Sequence, residues 1–514
     1  MPVASSDRPA SAFAIPAVGR FLRTNGVAVT LVSVLLLIPC FWHTHIQAGD
    51  LGSHVYNAWL AQLIEQHQLT GLTVVRQWNN VLFDLLLLHV GNLFGFAASE
   101  KIVVSFAVLV FFWGAFSFLT EFSGCPPWRL TPLLMVLSYG YVFHMGFMNY
   151  YLSLGFAFFA LALVWRGGAG NWFVAAAFVA LGFFAHPIGF LLFLTLSAYV
   201  LLWRALSRWV RSGLPAIAVI VAVLSKFYFA GHDALEASWR AEGVLRLLGQ
   251  DQLKLFGHRY IVLSRFVLAV AIISALAALY DWIFRNKRPS AILPLAIELY
   301  LLAIIATYCL PENFRVGLYA GWIGLLVSRL TLVTAIFGLL VLACLRVPRW
   351  PAYGSAVCAA VFFVFLYQDT GKLDRMEATA RAAVQELPPG TRIVAVASPP
   401  EDWRIQFIYH SIERACIGHC FSFANYEPSS LQFRVRALPG NDYVSTSVDQ
   451  ADDMASGDYL VRKNDLPLTS VYQCDEQDWT QLCALPLREG QKTEDPESEP
   501  APVPAAGPDD RPEN

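Results

Sequence analysis

Charge is scarce in this sequence. Only 14% of its 514 residues are Asp, Glu, Lys or Arg, and they nearly cancel, at −2. So few basic residues cannot build the clustered cationic surface that a phosphate backbone requires, which excludes nucleic acid as a partner. There is no glycine-rich phosphate loop, dinucleotide fingerprint, HExxH pair or serine-hydrolase elbow. No internal repeat is long enough to suggest an inverted-repeat transporter.

What is present is apolar. Hydrophobic residues make up 56% of the chain, and its mean hydropathy is +0.50. Apolar runs of near-spanning length recur from Val27 to Leu366. A soluble core needs no such runs, so the expected class is a polytopic α-helical membrane protein. The first run, "GVAVTLVSVLLLIPCFW", follows Arg20 and Arg23 and lacks a small-residue cleavage site before Asp50, so it is expected to remain as an anchor. About 11 spans are expected, near 26–42, 101–120, 131–148, 149–165, 171–185, 187–203, 213–230, 260–282, 290–310, 323–345 and 351–367.

Basic residues set the orientation. Arg20 and Arg23, Arg129, Arg166, Arg204, Arg208 and Arg211, Arg285, Lys287 and Arg288, and Arg346 and Arg349 fall on one side, expected to be cytoplasmic. Arg240, Arg246, Lys254 and Arg259 run against this bias in an outer loop at 231–259. The first three share an amphipathic stretch with Trp239, Leu247, Leu248 and Leu255, expected to touch anionic headgroups. A cytoplasmic N-terminus at 1–25 and an odd number of spans put the C-terminal region outside.

The spans define a membrane domain at 26–367, with a long outer loop at 43–100. Residues 368–490 are soluble in composition: "RMEATARAAVQEL" has helical periodicity, and "TRIVAVAS", "QFRVRAL" and "GDYLVRK" read as strands. This predicts a small extracytoplasmic α/β domain, followed at 491–514 by a disordered tail rich in Pro, Ala and acids. Four of the nine cysteines, Cys416, Cys420, Cys474 and Cys483, lie in the α/β region. An even number on an oxidising side suggests disulfides. Cys474 with Cys483 is the preferred pair, closing a small loop between two strand-like runs.

The outer loop after the first span is the informative one. Beyond Asp50, in "AGDLGSH", Val55, Tyr56, Trp59, Leu60, Leu63 and Ile64 recur at helical spacing, with Ser53, Asn57, Glu65 and Gln68 on the other side. This predicts a helix lying in the membrane interface. A second segment, "NNVLFDLLLLHVGNLFGF", is expected as another interfacial or partly buried helix. Segment 425–437, "NYEPSSLQFRVRA", is expected as polar turns between strands; acceptor-glycan binding is the alternative.

The order of span, aspartate, two surface helices and span resembles the GT-C superfamily of integral membrane glycosyltransferases, which includes protein O-mannosyltransferases and lipid A aminoarabinose transferases. The resemblance runs loosely over 20–367, through the loop order, "AHPIG" and "LPENFRVGLYAGWIGLLVSRL". It implies transfer of a sugar from a polyprenyl-phosphate carrier to a glycan, lipid or protein acceptor on the extracytoplasmic face. The bacterial inner membrane is the favoured location. Asp50 takes the position of the catalytic acidic residue. Many members carry paired acids there, whereas Asp50 stands between Gly49 and Leu51. A lipid-linked sugar transporter or flippase and a non-catalytic GT-C-like scaffold therefore stay open.

One carboxylate is chemically sufficient. A sugar on a phosphate leaves as a weak base and needs no general acid, unlike the two-carboxylate arrangement of glycoside hydrolases. A single base that takes the acceptor's proton would serve an inverting attack. The alternative role for Asp50 is to cap the following helix. His54, four residues on, shares its helix face if the helix starts that early, and His144 and His186 are expected to approach the same outer cavity. They would bind sugar or phosphate, or hold a divalent metal ion on the carrier phosphate; tolerated histidines in wet loops are the plainer reading. Arg329, inside an apolar run, is assigned to that phosphate with Arg315 in support, against snorkelling to headgroups.

Overall fold

The computed structural model describes residues 14–232, 236–239, 248–315, 322–396, 400, 402–405, 408–430, 432–445, 447–475 and 477–494. Arg240, Arg246, the N-terminal 13 residues and the tail beyond 494 lie outside the described residues. In chain order the helices are α1 (Ala14–Phe41), α2 (Leu51–Glu65), α3 (Leu82–Phe94), α4 (Phe96–Ser123), α5 (Thr131–Ser138), α6 (Tyr141–His144), α7 (Met148–Arg166), α8 (Ala169–Ala185) and α9 (Pro187–Ala205). They continue with α10 (Arg208–Arg211), α11 (Leu214–Ala230), α12 (His258–Arg285), α13 (Leu293–Cys309), α14 (Leu326–Leu345), α15 (Trp350–Gln385), α16 (Ile408–Ala415) and α17 (Val448–Ser456). The strands are β1 (Leu72–Val74), β2 (Phe314–Arg315), β3 (Trp322–Ile323), β4 (Arg392–Val396), β5 (Phe421–Ser422), β6 (Val435–Ala437), β7 (Thr469–Gln473) and β8 (Leu482–Pro486).

The chain divides into two compact units. The first comprises 1–48, 77–370 and 402–405; the second comprises 49–76, 371–401 and 406–514. Residues 49–76 thus belong with the C-terminal unit, although they had been expected to form part of the membrane domain's outer loop.

The first unit is a polytopic helical membrane domain. Among the described residues eight helices are long and apolar enough to cross a membrane: Arg23–Phe41, α4, α7, α9, Arg208–Ala230, α12, α14 and α15. Shorter apolar helices are α3, α8 and α13. The stretch expected as a span at 131–148 is broken. α5 has 8 residues and α6 has 4, and at 1.5 Å per residue α5 covers about 12 Å of an apolar core about 30 Å thick. Gly140 between them is extended (φ −80°, ψ −167°). The chain at 250–253 packs there, and Val142 N donates to Gln252 Oε1 at 3.3 Å. Gln250, Asp251, Gln252, Leu253 and Leu255 are all buried. Of the described residues that had been assigned to headgroups, Leu255 is buried, whereas Trp239, Leu248 and Lys254 are half-buried.

Burial separates the inner helices from the outer ones. In α7, 83% of the spanning window is buried, whereas none of Arg208–Ala230 is. The latter presents its apolar side chains outward, as a lipid-facing helix does. α4 and α7 close up where Gly114 meets Gly155: a Cβ on the first would strike the Gly155 carbonyl, and a Cβ on the second the backbone of Phe111. Small residues permit such contact where lipid supplies no hydrophobic drive between helices. Phe111 stacks on Tyr151 beside it, with ring centroids 4.3 Å apart.

The second unit is α/β. Its main sheet has the order β5-β4-β7-β8, with β4 parallel to both β5 and β7, and β7 antiparallel to β8. β1 pairs antiparallel with β6, Leu72 opposite Ala437. Val394, Phe423, Met454, Tyr459, Val461, Leu468 and Leu487 form its core. "GDYLVRK" was expected as a strand; it pairs only at the isolated bridge Leu460–Lys492 and then turns into a short 3₁₀ helix. Two disulfides staple this unit, Cys416–Cys420 and Cys474–Cys483, the second joining the end of the β7–β8 hairpin.

Candidate functional site

α2 was expected to lie in the interface with one face wet. Instead every residue from Leu51 to Ala61 is buried within the second unit. Its polar face is matched by side chains far away in the sequence. Ser53 Oγ donates to Glu427 Oε1 at 2.6 Å. Asn57 Nδ2 donates to Ser53 Oγ at 3.0 Å, and Asn425 Nδ2 donates to Asn57 Oδ1 at 2.9 Å. Tyr56 OH accepts from Ser422 N at 3.0 Å, and Trp59 stacks on Phe421. Burial raises the Tyr56 phenol's pKa, so it stays neutral in this role.

Asp50 stands at the N-cap position of α2, yet its side chain makes no capping hydrogen bond. The backbone carbonyl instead accepts from His54 N at 3.0 Å. The carboxylate is 31% exposed and lies with Oδ1 3.8 Å from His410 Nε2. On its other side His410 is tied through Nδ1 to Glu413 Oε2 at 3.1 Å, an i,i+3 pair on α16. Arg414 anchors the helix by a two-pronged ion pair to Glu377, with Nε–Oε1 at 2.8 Å. The Cys416–Cys420 disulfide follows at its end.

The electrostatics follow from this enclosure. Burial disfavours the charged imidazole, but Glu413, then Asp50 and Glu427, outweigh it and push His410 up to about 9. At neutral pH it is an imidazolium, so both ring nitrogens carry protons. Tyr426, whose ring lies 5.8 Å from that of His410, is raised well above the usual phenol range by burial and by Asp50, Glu427 and Glu413. It remains a neutral hydroxyl. Little in the sequence points to His410 and Glu413. Their i,i+3 spacing was the local signal, and only long-range folding brings them to Asp50.

Of the expected companions of Asp50, only His54 belongs to the same unit. His54 is buried within α2. In the first unit, His144 Nδ1 lies 3.0 Å from Gln47 O, its Nε2 is buried without a hydrogen-bond partner, and its ring packs on Phe256. His186 breaks the chain between α8 and α9 and accepts from Ile188 N at 3.1 Å through Nδ1. Arg329 stands over the Phe147 ring at 4.2 Å, within electrostatic reach of His186 and Tyr150. These two expected residues are therefore neighbours. Arg315 is half-exposed and pairs at 3.6 Å with an equally exposed Glu236, an ordinary surface contact.

The first unit also holds a buried polar cluster that was not anticipated. Arg404 donates through Nη1 to Asp251 O at 2.6 Å and faces Asp251 Oδ2 at 3.3 Å, lying over the Tyr141 ring. Thr331 Oγ1 donates to Asp251 Oδ2 at 2.9 Å, Gln252 Nε2 to Thr331 Oγ1 at 2.8 Å, and Ser328 Oγ to Glu312 Oε1 at 2.7 Å.

Among the described residues no group of three or more His, Cys, Asp or Glu is arranged to hold a metal ion. No step of the chemistry below runs through a metal. No protein-family model, curated protein or solved structure matches the chain.

Proposed function

We propose that this chain is an integral membrane glycosyltransferase that moves a sugar from a polyprenyl-phosphate carrier to an acceptor hydroxyl on the non-cytoplasmic face. The observation that carries the reading is the state of Asp50. Its carboxylate is free of the helix-capping role, partly exposed, and set beside a fixed imidazolium. Such a group is oriented and accessible, as a base must be. In the reaction the acceptor oxygen attacks the anomeric carbon from the face opposite the phosphate. The carbon–oxygen bond to phosphate breaks and its electron pair leaves with the polyprenyl phosphate. The acceptor's proton passes to Asp50, and the configuration inverts. Arg329 is proposed to meet the carrier's phosphate, which its planar fork suits. The two disulfides support an oxidising compartment for the second unit.

The test is transfer by the purified full chain in lipid vesicles, offered a panel of polyprenyl-phosphate sugars and read by mass analysis of products. Wild type should form a glycosidic product, and Arg329→Ala should lose turnover. Movement of the lipid-linked sugar across the bilayer with no covalent product would replace this reading with a transporter.

A further inference from the structure

We propose that His410 is the positioning residue for Asp50, with Glu413, His410 and Asp50 acting as one carboxylate–imidazole–carboxylate relay. The inference rests on the transferase reading for its purpose, but not for its geometry. Glu413 fixes the Nδ1 side of the ring at 3.1 Å, which leaves Nε2 directed toward Asp50 Oδ1 at 3.8 Å. The ring cannot swing freely, because α16 is anchored at Arg414 by the buried pair with Glu377 and closed by Cys416–Cys420. Asp50 has no capping bond of its own to hold it. His410 supplies the restraint.

The charges around the ring explain why a cation is needed there. From its own helix Glu413 faces it, from the start of α2 Asp50, from the loop after β5 Glu427, and from α17 Asp452, with neutral Tyr426 alongside. Four carboxylates interact electrostatically with one imidazole, two of them, Glu413 and Asp50, within 4 Å. While it is protonated, each has an opposite charge nearby and Asp50 is drawn to a fixed position. When it loses its proton, the carboxylates repel one another, and Asp50, partly exposed and without a capping bond, is free to turn away. His410 therefore acts through Asp50 and sets the alkaline limit of turnover.

Exchange of histidine C2 hydrogens, followed by mass spectrometry on the full chain in lipid nanodiscs, reads the titration of each histidine without any substrate. His410 should titrate near 9 in the wild type, and Asp50→Asn should lower its midpoint by roughly one unit. Glu413→Gln should lower it further. His419, held at Nε2 by the Leu387 carbonyl, should not move in Asp50→Asn and controls for general loosening of the fold. An unchanged His410 midpoint in Asp50→Asn overturns the relay, as does a shift shared equally by His419. Because Asp50 is partly exposed, that variant remains foldable even if Glu413→Gln does not accumulate. Sugar transfer with no midpoint shift would refute the relay and leave the transferase standing. A shift in a chain that transfers no sugar would keep the relay and refute the transferase.

Discussion

Each unit contains a carboxylate beside a cation, and the two pairs are built to opposite ends. In the first unit Asp251 is 1% exposed and is surrounded by donors from Arg404 and Thr331. In the second, Asp50 is 31% exposed and has its imidazole at 3.8 Å, beyond hydrogen-bond length. A buried charge held by several donors is shut away from any reactant in solution; its work is to hold segments in place. A carboxylate restrained by charge at a distance, with an oxygen open to solvent, can still take a proton. The exposure of the acid, more than the presence of a partner, is what suits Asp50 rather than Asp251 to the proposed proton transfer.

The largest test of that contrast is Arg404→Ala. It strands the buried Asp251 charge and should cost about 3–5 kcal/mol, seen as a large drop in the thermal unfolding midpoint of the full chain. Next comes the loop closed by Cys474–Cys483, a sequence separation of 9. Cys474→Ser should destabilise the second unit by about 2–3 kcal/mol in denaturant unfolding, leaving the first unit's signal unmoved. A pH-dependent loss follows. His410 has its pKa raised from 6.5 to about 9 on folding, so its contribution is fully present below about 6.5 and is lost as pH rises through about 9. Unfolding measured between those values should show a decline of roughly 2 kcal/mol, abolished in His410→Gln. Smallest is Asp50→Asn, which should cost about 1 kcal/mol, the equivalent of a roughly one-unit shift at His410, since it removes only a partly exposed pairing. An Asp50→Asn loss as large as that of Arg404→Ala would erase the distinction between the two sites.

What the sequence made legible was whatever depends on near neighbours. Apolar length alone located eight of the eleven expected spans, and two others are the 17-residue helices α8 and α13. The span at 131–148 failed because Gln252, over a hundred residues on, packs into the break at Gly140. α2 had the right residues in the right period. Its polar side looked wet because its partners, Ser422, Asn425 and Glu427, come from more than 360 positions away. Asp50 could be picked out by its place after the first span, whereas His410 and Glu413 sit in an unremarkable polar helix. Tyr459 and Val461 alternate like strand residues and are buried, but they belong to the core beside the sheet. Periodicity reports which side is covered and is silent about what covers it.

In the proposed reaction, turnover depends on proton removal by Asp50. Its most direct test compares product formation by wild type and Asp50→Asn, full chain in vesicles, with a polyprenyl-phosphate sugar that the wild type accepts. Loss of turnover by about 10²-fold or more, with no more than that small loss of stability, is the result expected of a missing base. Equal turnover in the two proteins would contradict it.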